Sequence, residues 1–403
     1  MADRRGRFRG AVGGVLLGLV LVLQPAGNAA AQRLDVSGYA LTLGARAGAS
    51  DLGPAGMTLL GRVRVMPIAS SGGVTVDVAY EHVLSRTPEG GGLSLTPGGS
   101  QAAGGDWLGA DWSLRSTSRT EWRHGFDRLS LGWEAGNRSV VAGRQAISWA
   151  TTLFLTPADP FVPFDPSDPF REYRAGVDAI RLRYFPGPFS EVEGVLRAAE
   201  TPDGTLYTAL ARGQTSLDAW ALGGWAGALH GEAAGALFAT GAVGATAVRA
   251  EASLRRDPEG GTAVRGALGL DRRLSAAGRD LYLVAEIQLD GFGANDPEEL
   301  LKVARSGPFL RGEMQTLGAW SGAAQVSYQV HPLLSVDAMV LGSLTDGSAL
   351  LAPGLSWSAS AAAAVRLGAY VGMGPSGVDA PRGLASEYGA IPALGYAALS
   401  WFF

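Results

Sequence analysis

The chain contains no cysteine. Disulfides and thiolate metal sites are thereby excluded, and an exported form can fold without oxidative help. Lysine is nearly missing too: Lys302 is the only one among 33 basic residues, which points to a GC-rich coding bias more than to chemistry. Neither sign of charge dominates, and a formal charge of −4 is too small to imply a nucleic-acid partner. The four histidines, His82, His124, His230 and His331, are scattered and offer no metal-binding pair at close spacing. Long apolar runs are also absent beyond the first 31 residues, although the chain is 47% hydrophobic. A membrane helix needs roughly 20 apolar residues in a row. The nearest rival, residues 221–248, is interrupted by His230 and Glu232, and its glycines disfavour a helix in water although membrane helices tolerate them.

What is present begins with an export signal. Arg4, Arg5, Arg7 and Arg9 form a basic start, residues 11–23 a short apolar core, and Ala29-Ala30-Ala31 a small-residue cleavage site before Gln32. That core falls short of a bilayer-spanning helix. Removal of residues 1–31 leaves residues 32–403, which suit one large barrel as well as two or three soluble domains.

At the other end, Leu399, Trp401 and Phe403 share one face of an alternating strand that stops on an aromatic residue. Outer-membrane barrels end this way, with every second residue in hydrocarbon and an aromatic at the interface. The same period-2 pattern sets Val74, Val76, Val78 and Tyr80 against Thr75, Asp77 and Glu81. It sets Leu129, Leu131 and Trp133 against Arg128, Ser130 and Glu134, and Leu283, Ile287 and Leu289 against Glu286, Gln288 and Asp290. About eighteen such strands can be drawn, with sixteen also compatible, starting near residues 35, 56, 74, 119, 138, 176, 189, 205, 216, 229, 244, 263, 280, 314, 333, 349, 361 and 393. The expected fold is all-β: a closed transmembrane antiparallel barrel whose N-terminal strand pairs with the strand ending at Phe403.

Parity supports the count. The longest loops, about 87–118, 150–174, 291–313 and 374–392, follow odd-numbered strands and so fall together on the extracellular side, opposite the turns at 69–73, 135–137 and 186–188. Two hairpins suggest registers. One sets Val63 opposite Val78 and Arg64 opposite Asp77; the other sets Leu182 opposite Val192, Arg183 opposite Glu191 and Arg181 opposite Glu193. A one-residue slip would turn the arginines to lipid at roughly 2–4 kcal/mol each.

The stretch Gly143-Arg144-Gln145-Ala-Ile147-Ser-Trp149, followed by the Pro/Asp-rich segment from Thr156 to Asp168 and by Arg171 to Arg181 with its Gly176-Val177-Asp178, resembles bacterial outer-membrane porin-like barrels, including alginate-export-type channels. Ala150 and Thr151 depart from the glycine expected after the tryptophan. The resemblance implies passage of small solutes through an outer-membrane pore and recognition of the terminal aromatic strand, Leu399, Trp401 and Phe403, by the barrel-insertion machinery. It assigns no solute.

Prolines forbid a strand through residues 156–170, which must be a loop. Its residues Asp159, Phe161, Phe164, Asp165, Asp168 and Arg171 either fold inward to narrow the pore or cap its mouth. Arg62, Arg64, Arg128, Arg144, Arg181, Arg183, Arg249 and Arg265 are expected to project into the lumen beside Asp77, Glu81, Glu191, Glu193, Glu251 and Glu286. Near-balanced charge there predicts weak ion selectivity, or a network that braces the wall.

Other chemistry finds little support. The loop acids Asp159, Asp165, Asp168 and Glu172, or Asp296, Glu298 and Glu299, lack the glycine-punctuated spacing of a calcium loop. Gly372-Met-Gly374-Pro-Ser-Gly377 has the letters of a dinucleotide fingerprint, but two prolines replace the required helix. No cofactor is implied. A barrel enzyme of lipase or protease type needs a Ser/His or Asp/His pair that no residues announce; it and a structural or adhesive barrel stand as alternatives to a channel whose partners are outer-membrane lipids and a small solute.

Overall fold

The computed structural model describes residues 33–51, 53–88, 105–161, 175–201, 204–256, 260–379 and 383–403. Residues 1–31, expected to form an export signal, lie outside these. Alternation of apolar and polar side chains produces eighteen barrel strands of 8 to 16 residues. The first nine are β1 Arg33–Ala47, β2 Gly56–Ser71, β3 Val74–Arg86, β4 Thr120–Ala135, β5 Arg138–Gln145, β6 Val177–Gly187, β7 Ser190–Thr201, β8 Gly204–Leu217 and β9 Trp220–Leu229. The rest are β10 Glu232–Val243, β11 Thr246–Arg256, β12 Thr262–Ala276, β13 Arg279–Asp290, β14 Trp320–His331, β15 Leu334–Ser343, β16 Ala349–Ser360, β17 Ala363–Met373 and β18 Leu394–Phe402.

Each strand pairs antiparallel with its neighbours in sequence, and β1 closes the ring on β18, with Tyr39 opposite Phe402 and Ala47 opposite Leu394. The Gly38 and Phe403 backbones exchange hydrogen bonds of 2.9 and 3.0 Å at the seam. Closure leaves no strand edge for lipid to strand unpaired. The Phe403 ring lies on Gly38, where a Cβ would come within 2.5 Å of it.

The two faces follow the pleat. Leu131, Trp133, Leu182, Leu268, Leu399 and Trp401 stand on an exposed apolar exterior, whereas Arg265 between them in the pattern is 5% exposed and Leu268 61%. An exterior of that kind belongs in hydrocarbon. Every connection on the N-terminal side has two residues, from Gly72-Gly73 to Ala361-Ala362, while the four longest all lie at the other end. An additional strand, Asp111–Ser116, pairs with the outer part of β4 above the point where β5, paired only with Leu129–Ala135, has stopped. It fills a notch in the wall.

Both proposed hairpin registers need correction. Arg64 stands opposite Glu81, not Asp77, and Val63 opposite His82, not Val78. The turn is Gly72-Gly73, both at positive φ (57° and 82°), the mirror-image geometry that matches strand twist. In the other hairpin Arg183 stands opposite Glu193, Leu182 opposite Gly194 and Arg181 opposite Val195, with an irregularity between Tyr184 and Gly187 where Pro186 cannot donate to the ladder. Each slip is by an even number, so every side chain keeps its predicted face.

Candidate functional site

The chain leaving β5 turns into the barrel. Ile147, Trp149, Ala158 and Phe161 pack with Val177, Val195, Leu210 and Trp225 of β6 to β9. Trp149 and Phe161 meet edge to face at 4.8 Å, and the two indoles donate to Glu193 Oε1 and the Ala158 carbonyl at 3.0 Å each. Leu155, fully buried, reaches the facing wall and joins Leu41, Leu43, Leu341, Leu350, Tyr370 and Leu394. The described residues 147–161 thus pack against two facing stretches of the inner wall.

Extended backbone inside a barrel must find acceptors for its N–H groups. Two wall carboxylates supply them. Glu251 on β11 accepts from the Thr151, Thr152 and Ala158 amides at 2.9, 3.3 and 3.0 Å. Glu286 on β13 accepts from Leu153, Phe154 and Leu155 at 2.6, 2.9 and 2.9 Å. Gln315 takes the Thr156 amide at 2.5 Å and returns a bond to the Phe154 carbonyl. Asp159 is tied locally to Ser148 and to the Phe161 amide, at 2.9 and 3.1 Å. Phe164, Asp165, Asp168 and Arg171 lie outside the described residues.

Arginines and acids line the wall from β2 to β13. Arg64 pairs with Glu81 and with Asp127 at 2.6 Å, and Asp127 also holds Arg128. Arg62 lies 3.4 Å from the Tyr39 hydroxyl. Arg181 grips Glu193 through two bonds of 2.7 and 2.9 Å, a diagonal pair, while Glu191 is served by Gln214 and Arg212 and Arg183 by Ser139. Arg249 pairs with Asp271 and Arg265 with Asp290, at 2.9 and 2.7 Å. Asp77 shares the inner face with Arg64 and Arg128 and is half-buried. In two of these pairs the cation is the accessible member: side-chain exposure is 20% for Arg181 against 0% for Glu193, and 25% for Arg249 against 12% for Asp271.

Arg144 has a different surrounding. Its guanidinium meets Asp178, Asp111 and Asp106 at 2.9, 3.1 and 3.2 Å and the Phe126 carbonyl at 3.0 Å. Asp178 also takes the Trp107 and Leu108 amides at 2.8 Å. Arg144 is thus the staple that fixes the 105–116 segment into the wall notch, and Gln145 beside it binds the Val141 and Ala179 carbonyls. Burial, with Asp178 and Asp111 adding to it and Arg144 opposing, pushes the Asp106 carboxyl up to about 6.

Two further loops crowd the mouth. Helix Leu300–Ala304 packs through Leu300 and Val303 on Ala294, Met314 and Leu317, and helix Gly307–Leu310 adds Phe309 to the same cluster. Glu387 from the last loop accepts the Leu317 and Gly318 amides at 2.9 and 3.0 Å, and burial raises its carboxyl. His230, in the β9–β10 turn, is driven down to about 3 by burial and then by Arg197, Arg255 and Arg311. Of the inward residues not expected in the lumen, Arg197 and Arg255 were within reach of the alternation, following Glu193 and Glu251 at even spacing, and Asp290 already stood on the polar face of its strand with Glu286. Asp127 was not, because it turns inward only at a bulge opposite Ala79 and Tyr80.

No protein-family model matches the chain, and no curated protein matches it. Solved structures do. Pseudomonas aeruginosa OccK2 (OpdF), in complex with glucuronate, aligns at TM-score 0.57 and 11% identity over 92% of this chain and 98% of its own. Acinetobacter baumannii OccAB1 aligns at 0.55 and 10% over 94% and 99%. A BenF-like porin from Pseudomonas fluorescens Pf-5 aligns at 0.53 and 9% over 93% and 98%. At such identities the likeness is one of fold, the closed eighteen-stranded barrel.

Proposed function

We propose that this chain is an outer-membrane channel for passive diffusion of small hydrophilic solutes, narrowed by residues 146–161 and favouring anions. The observation that carries the reading is the asymmetry of the lumen charges. Glu251 and Glu286 are occupied by backbone amides, and Glu193 and Asp271 lie behind Arg181 and Arg249. Along β6–β7 and β11–β12 guanidinium groups are then what a solute meets, whereas around Arg64 the acids Glu81 and Asp127 are the more accessible members; a narrow lumen focuses these fields. OccK2, similar in fold, has been solved with glucuronate, an anionic sugar acid, which agrees with this preference.

The test is single-channel recording of the purified protein in a planar bilayer under a salt gradient. Stepwise conductance with a reversal potential on the anion side, growing as ionic strength falls, is expected. A folded, inserted protein without conductance would return the question to a structural or enzymatic barrel.

A further inference from the structure

Two levels on the barrel exterior fix how it sits in lipid. Trp133 stands outward opposite Val74 near the short-turn end, and Trp122 stands outward opposite Leu84. The ten-residue interval along β3, at ~3.4 Å per residue and a tilt of about 40°, spans about 26 Å along the normal. An outer-membrane barrel has an apolar band of about 25 Å between aromatic girdles. Trp122 therefore marks the upper girdle.

Aromatic side chains gather at and just below that level. Trp112, His124 and His82 form one row across three adjacent strands, with rings stacked at 5.3 and 6.0 Å. Tyr80 and Phe126 lie one step lower, 5.5 Å apart. Immediately above or level with Trp122 stand three exposed outward arginines: Arg46 on β1, Arg86 on β3, and Arg115, opposite Trp122 on the additional strand. Strands ~4.8 Å apart put neighbouring members of this arc about 10 Å from each other. None forms an ion pair with a described residue. From Tyr80 upward the outward positions of β1 to β4 hold no acidic side chain.

The geometry points to a docking surface for a phosphorylated glycolipid of the outer leaflet. Its phosphates would supply the counter-charge that Arg46, Arg86 and Arg115 lack among the described residues, its sugar rings would lie against the Trp112–His124–His82 row, and its acyl chains would run down below that row past Tyr80, Phe126 and Leu131. Basic groups at the headgroup level and aromatic side chains at the interface are what recognise such a lipid. The inference rests on the outer-membrane placement proposed above.

The full-length barrel in detergent is titrated with lipid A, with its dephosphorylated form and with inorganic phosphate, and occupancy is read by native mass spectrometry. Lipid A should bind, the dephosphorylated form should not compete, and the triple variant R46Q/R86Q/R115Q should bind about a hundredfold more weakly. R115E alone, on a strand outside the closed ring, should weaken binding as well. Heat-modifiable gel mobility shows that each variant is folded, and bilayer conductance should stay as in the wild type. Equal binding of the dephosphorylated lipid, unchanged affinity in the folded triple variant, or displacement by millimolar phosphate would each overturn the assignment. Failure of the wild-type barrel to insert into membranes would instead overturn the placement on which it rests.

Discussion

Replacing Glu286 by alanine removes the acceptor of three consecutive amides, those of Leu153, Phe154 and Leu155. A buried donor left without a partner costs about 1–3 kcal/mol. Three of them would reach about 3–9 kcal/mol, and water entering the lumen relieves part of it, so the lower end of about 3 kcal/mol is the working figure. At 1.4 kcal/mol per decade, the docked arrangement of residues 146–161 loses on the order of a hundredfold in population against undocked ones. Leu155 and Trp149 still hold the ends of the segment through apolar burial, so the channel should flicker and not simply open. Single-channel records of Glu286→Ala should show a larger main conductance with excess noise, and amide exchange of residues 153–155 should accelerate by about two orders of magnitude. Glu286→Gln, which retains one carbonyl oxygen, should fall between. Wild-type noise together with wild-type exchange at these amides, in a folded barrel, would refute the view that this carboxylate positions the constriction.

Glu193→Gln removes the partner of Arg181 and should move the reversal potential further toward the anion limit, an effect that shrinks as salt screens it; no movement at low ionic strength would place Arg181 off the solute's path. Asp106 carries a carboxyl raised to about 6 against an unfolded value near 3.9, so the folded rim holds its proton more tightly and loses stability as pH climbs between those values. After correction for intrinsic rates, amides 105–108 should exchange more slowly at pH 4.5 than at pH 7, and Asp106→Asn should abolish the difference. Deleting Phe403 removes both seam bonds to Gly38 and should lower the amount of heat-modifiable barrel in the outer membrane; normal levels would count against an assembly role for the terminal strand.

Most of the wall was legible because a barrel strand repeats one physical rule. A residue with lipid on its side must be apolar and the next one need not be, so the strand starting at Val74 or at Ala349 can be placed to the residue. Where both faces carry Ala and Gly the contrast vanishes, and β9 begins at Trp220 instead of near 216. Before Trp320 the error is larger, near 314 against 320, because residues 313–319 mix apolar and polar side chains as a strand does yet serve the loops: Met314 and Leu317 pack under the short helices, and the Leu317 and Gly318 amides are taken by Glu387. The hairpin registers slipped for a different reason. Side-chain complementarity in an alternating pair is nearly as good after any even shift, here one of four residues, so Arg64 finds an acid whether it faces Asp77 or Glu81. Only the turn decides, and Gly72-Gly73 decides for Glu81.

The site was harder to read because the partners of its acids are main-chain groups, which every residue carries and which leave no mark in a sequence. Glu251 and Glu286 have the same spacing and the same face as Glu193, yet Glu193 holds a guanidinium and an indole while the other two hold six amides between them. The available hint was negative. Pro157 and Pro160 interrupt a segment whose other backbone donors have no strand to pair with, so a loop that enters the lumen must find carboxylates or amides on the wall. In the channel proposed above, committing Glu251 and Glu286 to the loop takes two carboxylates out of the charge a solute meets, so the device that narrows the barrel would also bias its charge.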